Sequence, residues 1–347
     1  MREHRVPPRS AGELNEWITD LADEASLSAQ GKALRKNFAT AVLAQMLPDN
    51  AYLKGGAALG LRYSLSEART SRDVDSVYQG SKEAFFAGLR DRLDEGWEGF
   101  TGEVSYEERR SLPKGVELET LFITLYYKQG RFTKISFEAS PDINGHDGAA
   151  EYVMDDGMRA MFARMGFTMR APRMLGLDAQ LAEKLNGVTN PKYVRGRDLR
   201  DIELIMRHHT PDLTKLREYV RASERREGGH EVHVITDREM QEYENAYMRA
   251  GGTGLETAWE LTDSLLEQVD CDYGDRWLDQ WGDEFPQRRQ HWTHIASVEA
   301  RITRAYLEQQ QPEPATAMPP LPHGGPVQVR SYTRKDGTVV RGHTRRR

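Results

Sequence analysis

Apolar positions recur at spacings of three and four through residues 11–47. Leu14, Trp17, Ile18 and Leu21, then Leu34, Phe38, Ala41 and Val42, each mark one face of a helix. The short apolar run Ala51-Tyr52-Leu53 leads into Lys54-Gly55-Gly56, and a helical segment with Leu59, Leu61 and Tyr63 follows. Residues 72–78 alternate instead, with Val74, Ser76 and Tyr78 on one face and Asp73, Asp75 and Val77 on the other, a strand signature. Helical spacing returns at 81–95. Two β-rich runs come next, 118–127 and 132–139, separated by Lys128-Gln129-Gly130-Arg131, which predicts a hairpin turned around Gly130.

The first half therefore reads as strand, helix, strand, helix and hairpin, an α+β pattern with a mixed sheet. From about Met174 the spacing is helical throughout: Leu175, Leu177, Leu181 and Leu185, then Leu199, Ile202, Ile205 and Met206, with further helices at 212–223, 236–250, 255–269 and 286–310. The expected organisation is an α+β domain over 1–165 and a helical domain over 166–310. A Pro-rich linker at 311–326 precedes a basic tail at 327–347, expected to be disordered because it has little apolar content to bury.

Composition narrows the class. With 347 residues the chain has room for two folded domains, and 38% hydrophobic with 29% charged residues suits a soluble globular protein. No run of eighteen apolar residues exists and the first ten residues are polar, so neither a membrane span nor a signal peptide is expected. The lone Cys271 forbids an intrachain disulfide and cysteine-rich zinc sites, and fits a reducing cytoplasm. Net charge is −6, yet residues 326–347 hold seven basic residues against one aspartate, so the body is more acidic still. That balance argues against a whole-surface nucleic-acid binder and leaves room for a local basic groove.

The densest chemistry lies in Leu53-Lys54-Gly55-Gly56-Ala57-Ala58-Leu59 and in Arg69-Thr70-Ser71-Arg72-Asp73-Val74-Asp75. Gly55-Gly56 gives a bare backbone turn at a helix N-terminus, where N–H groups can approach a phosphate. Asp73 and Asp75, two apart on a strand, project from one face and suit Mg²⁺, which takes carboxylates plus substrate phosphates. Glu138, on a later strand, is the candidate third carboxylate of a metal cage; an exposed strand-end glutamate explains it equally well. Gly-Gly alone marks an ordinary turn and D-x-D alone a solvated face, so the signal rests on their combination.

These runs, with Glu183-Lys184-Leu185 and Arg197-Asp198-Leu199-Arg200-Asp201-Ile202, resemble the AbiEii/AbiGii toxins of the DNA polymerase β-like nucleotidyltransferase superfamily. The resemblance covers roughly residues 35–210. It implies a nucleotidyltransferase-like mixed sheet over 1–165 followed by a helical half. The implied activity is that of a metal-dependent toxin of a toxin–antitoxin or phage-defence pair, transferring a nucleoside monophosphate from an NTP to an acceptor hydroxyl. The tRNA 3′ end is the favoured acceptor, as in the relatives that extend it, and a cognate antitoxin is the implied protein partner. Alternatives on the same fold are AMPylation of a protein hydroxyl and a non-catalytic nucleotide or RNA binder.

Carried over by position, Lys54, Gly55, Gly56, Ser71 and Lys184 would bind the nucleotide, with Lys184 reaching the triphosphate as a point charge. Asp73 and Asp75, with Glu138, would hold Mg²⁺ or Mn²⁺, and one of the aspartates would help deprotonate the hydroxyl. Asp198 or Asp201 would match a late family aspartate, and D-x-x-D spacing puts both near one helix face. Two departures stand out: Ala57 replaces the family's frequent Thr or Ser, and sixteen residues separate Gly56 from Asp73, more than is usual.

Weaker features read as structural. His208-His209 point apart at a helix end and suit a C-terminal cap. His230, Glu231 and His233 read as loop residues. Trp277, Trp281, Phe285 and Trp292 have core spacing, with Arg288, Arg289, Arg301 and Arg304 nearby as solvated or RNA-facing charge.

Overall fold

The computed structural model describes residues 6–24, 31–64, 66–106, 119–142, 150–190, 192–225, 229–232 and 237–269, and short strands at 327–329, 332–333, 339–340 and 343–345. The chain divides into two compact units, 1–279 and 280–347.

In the first unit the expected helices at 11–47 form as α1 (Ala11–Glu24) and α2 (Gly31–Gln45). Strand β1 (Ala51–Lys54) runs directly into α3 (Gly55–Arg62). Strand β2 (Val74–Tyr78) and helix α4 (Lys82–Glu95) follow, then β3 (Phe100–Tyr106), β4 (Glu119–Tyr127) and β5 (Gly130–Pro141). Strand β6 (Ala150–Tyr152), helix α5 (Asp156–Arg164) and strand β7 (Arg173–Leu175) complete the sheet region.

The seven strands lie in the order β3-β4-β5-β2-β1-β7-β6. The sheet is mixed, as expected: β1 is antiparallel to β2 and parallel to β7, while β2 is parallel to β5. Strand β3 and the short β6 and β7 escape the sequence pattern. The last two have three residues each, too few for alternation to show, and β7 lies beyond the expected boundary at 165. The hairpin between β4 and β5 also turns differently. Lys128 and Gln129 carry the positive φ values, 45° and 67°, while Gly130 already belongs to β5. A two-residue turn with both central residues left-handed matches the strand twist, and Gly130 is then free to pair with Tyr127.

Alternation along the central strands decides what each face does. Val74 and Tyr78 of β2 enter the main core with Leu121, Ile123, Leu125, Phe137 and Ala139, under Leu14, Ile18, Leu34 and Phe38 of α1 and α2. Phe38 stacks on Phe162 at 4.2 Å, and both are fully buried. Burial of each such side chain stabilises by about 1.5–3 kcal/mol. Val77, of opposite parity, packs instead with Tyr52, Leu175 and Ala179. Asp73 and Asp75 share its parity, so they face the side covered by the helix that carries Ala179.

That helix is α6 (Leu177–Val188), the first of a helical group with α7 (Gly196–His208), α8 (Leu213–Arg225), α9 (Asp237–Arg249) and α10 (Leu255–Val269). Its core gathers Leu181, Leu185, Leu199, Ile202, Leu216, Tyr247 and Leu265, and it includes Leu59 of α3. The helix following the Gly-Gly turn is thus anchored in the helical group. No helix among the described residues is long and apolar enough to cross a membrane.

In the second unit, β8 (Val327–Val329) pairs antiparallel with β11 (His343–Arg345), and β9 (Tyr332–Thr333) with β10 (Val339–Val340). Val327, Val329, Val339 and Val340 supply the β-branched residues of these short ladders. The expected helix at 286–310, the linker at 311–326 and the aromatic residues Trp277, Trp281, Phe285 and Trp292 lie outside the described residues.

Candidate active site

The turn from β1 into α3 is the pivot of the site. Gly55 has φ +65°, a conformation that favours glycine, and Lys54 precedes it in extended geometry with no side-chain cap on the helix. A Cβ built on Gly55 would stand 2.4 Å from Oδ2 of Asp75. The bare glycine therefore lets the aspartate carboxylate lie against the uncapped helix start, where free N–H groups favour negative charge. On Gly56 a Cβ would meet the Arg69 guanidinium at 2.8 Å, so the second glycine admits an arginine from the loop before β2.

Register assembles the rest. Lys54 is opposite Asp75 across β1 and β2, and Glu138 is opposite Asp75 on the parallel strand β5. Lys54 Nζ donates to Glu183 Oε1 at 2.8 Å, tying the strand to α6. Both Lys54 and Lys184 act on Asp75, yet burial raises its pKa above the ordinary carboxylate value, reinforced by Asp73 and Glu183. Asp75 thus retains a carboxylate poorly compensated by its surroundings.

Behind it runs a buried ionic chain. Lys184 Nζ lies 2.7 Å from Asp198 Oδ1 and 2.8 Å from Asp201 Oδ2. Asp201 accepts from Arg69 Nε and Nη2 at 2.8 and 2.7 Å, and Asp198 Oδ2 makes an ionic contact with Arg195 Nε at 2.7 Å. The i, i+3 spacing of the two aspartates on α7 puts both on one face, astride the lysine. Gly187 of α6 makes room, since its Cβ would stand 2.3 Å from Asp198 Oδ2. Burial alone would lower the lysine's pKa, but Asp198 and Asp201 outweigh it and the amine is held charged. Burial likewise opposes ionisation of Asp201, and Lys184 with Arg69 overrides it, so its pKa falls.

A pocket of about 200 Å³ opens onto Lys54, Gly55, Asp75, Glu183, Lys184 and Asp198, with Asn186, Arg195 and Ser223 at its sides. Of the residues expected from sequence, five line it: Lys54, Gly55, Asp75, Lys184 and Asp198. Asp201 joins through Lys184, and Gly56 through the turn. Asp73 immediately precedes β2 and adds its charge to Asp75. Ser71 does not line the pocket; its carbonyl accepts from Lys36 Nζ at 3.0 Å.

Lys184 is paired with two carboxylates because α7 brings both aspartates to it. Among the described residues no three acidic, histidine or cysteine side chains form a group able to hold a metal ion. Glu138 keeps interactions of its own, although it neighbours Asp75 in register. What remains is a pair of hard-oxygen donors, Asp73 and Asp75, with Asp75 short of positive charge. That donor set fits a divalent cation completed by substrate oxygens.

Sequence reasoning left out Glu183 and Arg69, although both sit inside the motif runs, and Arg195, three residues before Asp198. The i, i+3 relation of Arg195 to Asp198 was the available signal. The histidines take separate roles: His208 Nε2 meets Glu67 Oε1 at 2.8 Å, His209 Nε2 meets Asp178 Oδ1 at 2.6 Å, and His230 Nε2 meets Thr189 Oγ1 at 3.1 Å. His233 lies outside the described residues.

A family model described as nucleotidyl transferase AbiEii toxin, type IV TA system, matches residues 40–270. No curated protein sequence matches the chain. Among solved structures, the chain is similar to MenT4, a nucleotidyltransferase toxin from Mycobacterium tuberculosis H37Rv. The TM-score is 0.51 at 15% identity, over 82% of this chain and 98% of that one. That likeness is one of fold. The family match spans β1 through α10, and so contains every residue of the pocket.

Proposed function

The chain belongs to the AbiEii family of nucleotidyl transferase toxins of type IV toxin–antitoxin systems, and from that premise we propose that it moves a nucleoside monophosphate from an NTP to an acceptor hydroxyl. The hydroxyl oxygen forms a bond to the α-phosphorus, the bond from that phosphorus to the bridging oxygen breaks, and pyrophosphate leaves. The carrying observation is Asp75, its carboxylate seated against bare Gly55 at the start of α3 and short of compensating charge.

Each residue's role follows from its place. The N–H groups at the start of α3 meet the phosphates that Gly55 and Gly56 leave room for. Asp73 and Asp75 would hold Mg²⁺ or Mn²⁺, which when bound neutralises the triphosphate. One of the two aspartates would take the hydroxyl proton as the new bond forms. Lys184, held charged between Asp198 and Asp201, presents fixed positive charge at the pocket wall. A tRNA 3′ end is the acceptor we favour, and a cognate antitoxin the expected protein partner.

The test is incubation of the protein with Mg²⁺, each α-labelled NTP in turn and total tRNA, beside Asp73→Ala. Label in RNA with the intact protein alone supports the reading and names the nucleotide. Label in protein instead transfers the assignment to a side-chain hydroxyl, and equal labelling by Asp73→Ala overturns the role of the aspartates.

A further inference from the structure

Beside the pocket lies a larger groove of about 730 Å³, and Arg195 lines both. Six arginines border it, namely Arg69, Arg72, Arg195, Arg197, Arg200 and Arg249, against a single acid, Glu67. Such a concentration is notable in a chain whose net charge is −6. The acid is already committed: Glu67 Oε2 accepts from Ser64 at 2.6 Å and Oε1 meets His208 at 2.8 Å.

The arginines divide into two sets. Arg69, Arg195 and Arg200 are pinned by carboxylates of α7, to Asp201, Asp198 and Glu203. Arg72, Arg197 and Arg249 are exposed, and among the described residues no carboxylate comes within ion-pair distance of them. Their charge is available to a ligand. Arginine's planar fork suits phosphate oxygens, and the absence of lysine from the lining makes this a surface of directed donors. The lining also contains no aromatic ring to stack on a base and only Val194 as a sizeable apolar contact. A protein partner would find no aromatic or large aliphatic anchor there to bury.

We propose that this groove binds the phosphodiester backbone of a single-stranded polynucleotide, through Arg72, Arg197 and Arg249 and without reading its bases. Arg195 then leads the strand from the groove to the pocket. Delivery of an acceptor end in this way rests on the transferase reading above; the binding does not.

The experiment measures anisotropy of a labelled mixed-sequence RNA 12-mer with the full chain, without NTP, over a range of salt. The comparison is the combined variant Arg72→Ala, Arg197→Ala, Arg249→Ala. Loss of three phosphate contacts is expected to weaken binding at least tenfold and to flatten the log–log salt dependence by about 2, near 0.7 per contact for a single strand. Permuting the sequence, or using DNA of the same sequence, is expected to change affinity less than about threefold, since neither bases nor 2′-hydroxyls are read. Should the triple variant melt early, Arg72→Glu and Arg249→Glu, each an exposed single change, carry the same comparison. Unchanged affinity or salt slope in the variants overturns the proposal. So does affinity that follows base sequence or demands RNA, or tighter binding of polyglutamate than of RNA at matched charge, which would make the groove a protein-binding surface. Because the readout needs no NTP, its failure leaves the transferase reading standing, and absence of transfer leaves the binding standing.

Discussion

The Asp201 carboxylate receives both arms of the Arg69 guanidinium, at 2.8 and 2.7 Å, and that same guanidinium fills the space a side chain on Gly56 would need. One ion pair therefore joins α7 of the helical group to the Gly-Gly turn of the sheet.

Removing half of this pair strands a buried charge. Arg69→Ala is expected to lower the unfolding free energy by about 3 kcal/mol, within the range for breaking a buried pair. Arg69→Met combined with Asp201→Leu is expected to be less damaged than Arg69→Ala, because no uncompensated ion remains. Urea denaturation of the three proteins checks this, and additive losses would contradict the coupling.

The same chain sets an acid limit on stability. Asp201 has a lowered pKa in the folded state, so its contribution is present above the unfolded carboxylate pKa and disappears as pH falls through the folded one. Denaturation midpoints are expected to drop below about pH 4, and to drop less in Asp201→Asn, whose neutral side chain has nothing to lose.

Asp75 has the opposite sign. Its folded pKa is raised, so its stabilising share is complete below the unfolded pKa and lost as pH rises through the folded one. At neutral pH the ionised group costs stability, and Asp75→Asn is expected to raise Tm by about 1–3 °C, as a gain below 1 kcal/mol would in a fold this size. Transfer is expected to be lost in the same variant. A lower Tm would show that its charge is compensated in the fold.

Gly55 and Gly80 separate backbone conformation from the site itself. Both have positive φ, +65° and +83°, but a Cβ on Gly80 meets nothing within 4 Å while one on Gly55 collides with Asp75. Gly55→Ala and Gly80→Ala should each cost about 1–2 kcal/mol of stability. Only Gly55→Ala is expected to reduce transfer, by more than tenfold, as read by label incorporation.

Asp73→Ala should abolish transfer while changing stability by less than about 0.5 kcal/mol, because the residue is half-buried ahead of β2 and not part of the core. Circular dichroism and urea titration beside the activity assay distinguish this from unfolding.

Much of this was legible from spacing. Period two at 72–78 placed both aspartates on one face, and period 3.6 located every helix from α6 to α10, because each carries apolar residues at helical spacing. What spacing could not show was contact across the fold. That Lys184 is clasped by Asp198 and Asp201 depends on how α6 packs against α7, and Gly187, which permits it, reads in sequence as a mere weakness in a helix. The three-residue strands β6 and β7 carry too few positions for any period. Arg72, Arg197 and Arg249 come from three separate segments, so only the fold makes them one surface.

Strand β7 pairs with β1 across more than a hundred intervening residues, and the lysine and aspartates behind Asp75 come later still. During synthesis, the Gly-Gly turn leaves the ribosome well before the partners that would complete its pocket. A nascent chain halted anywhere before α7 has emerged lacks Asp198 and Asp201, and so carries its aspartates without their enclosing wall. The order of the segments thereby leaves the pocket unfinished until the polypeptide is more than half made.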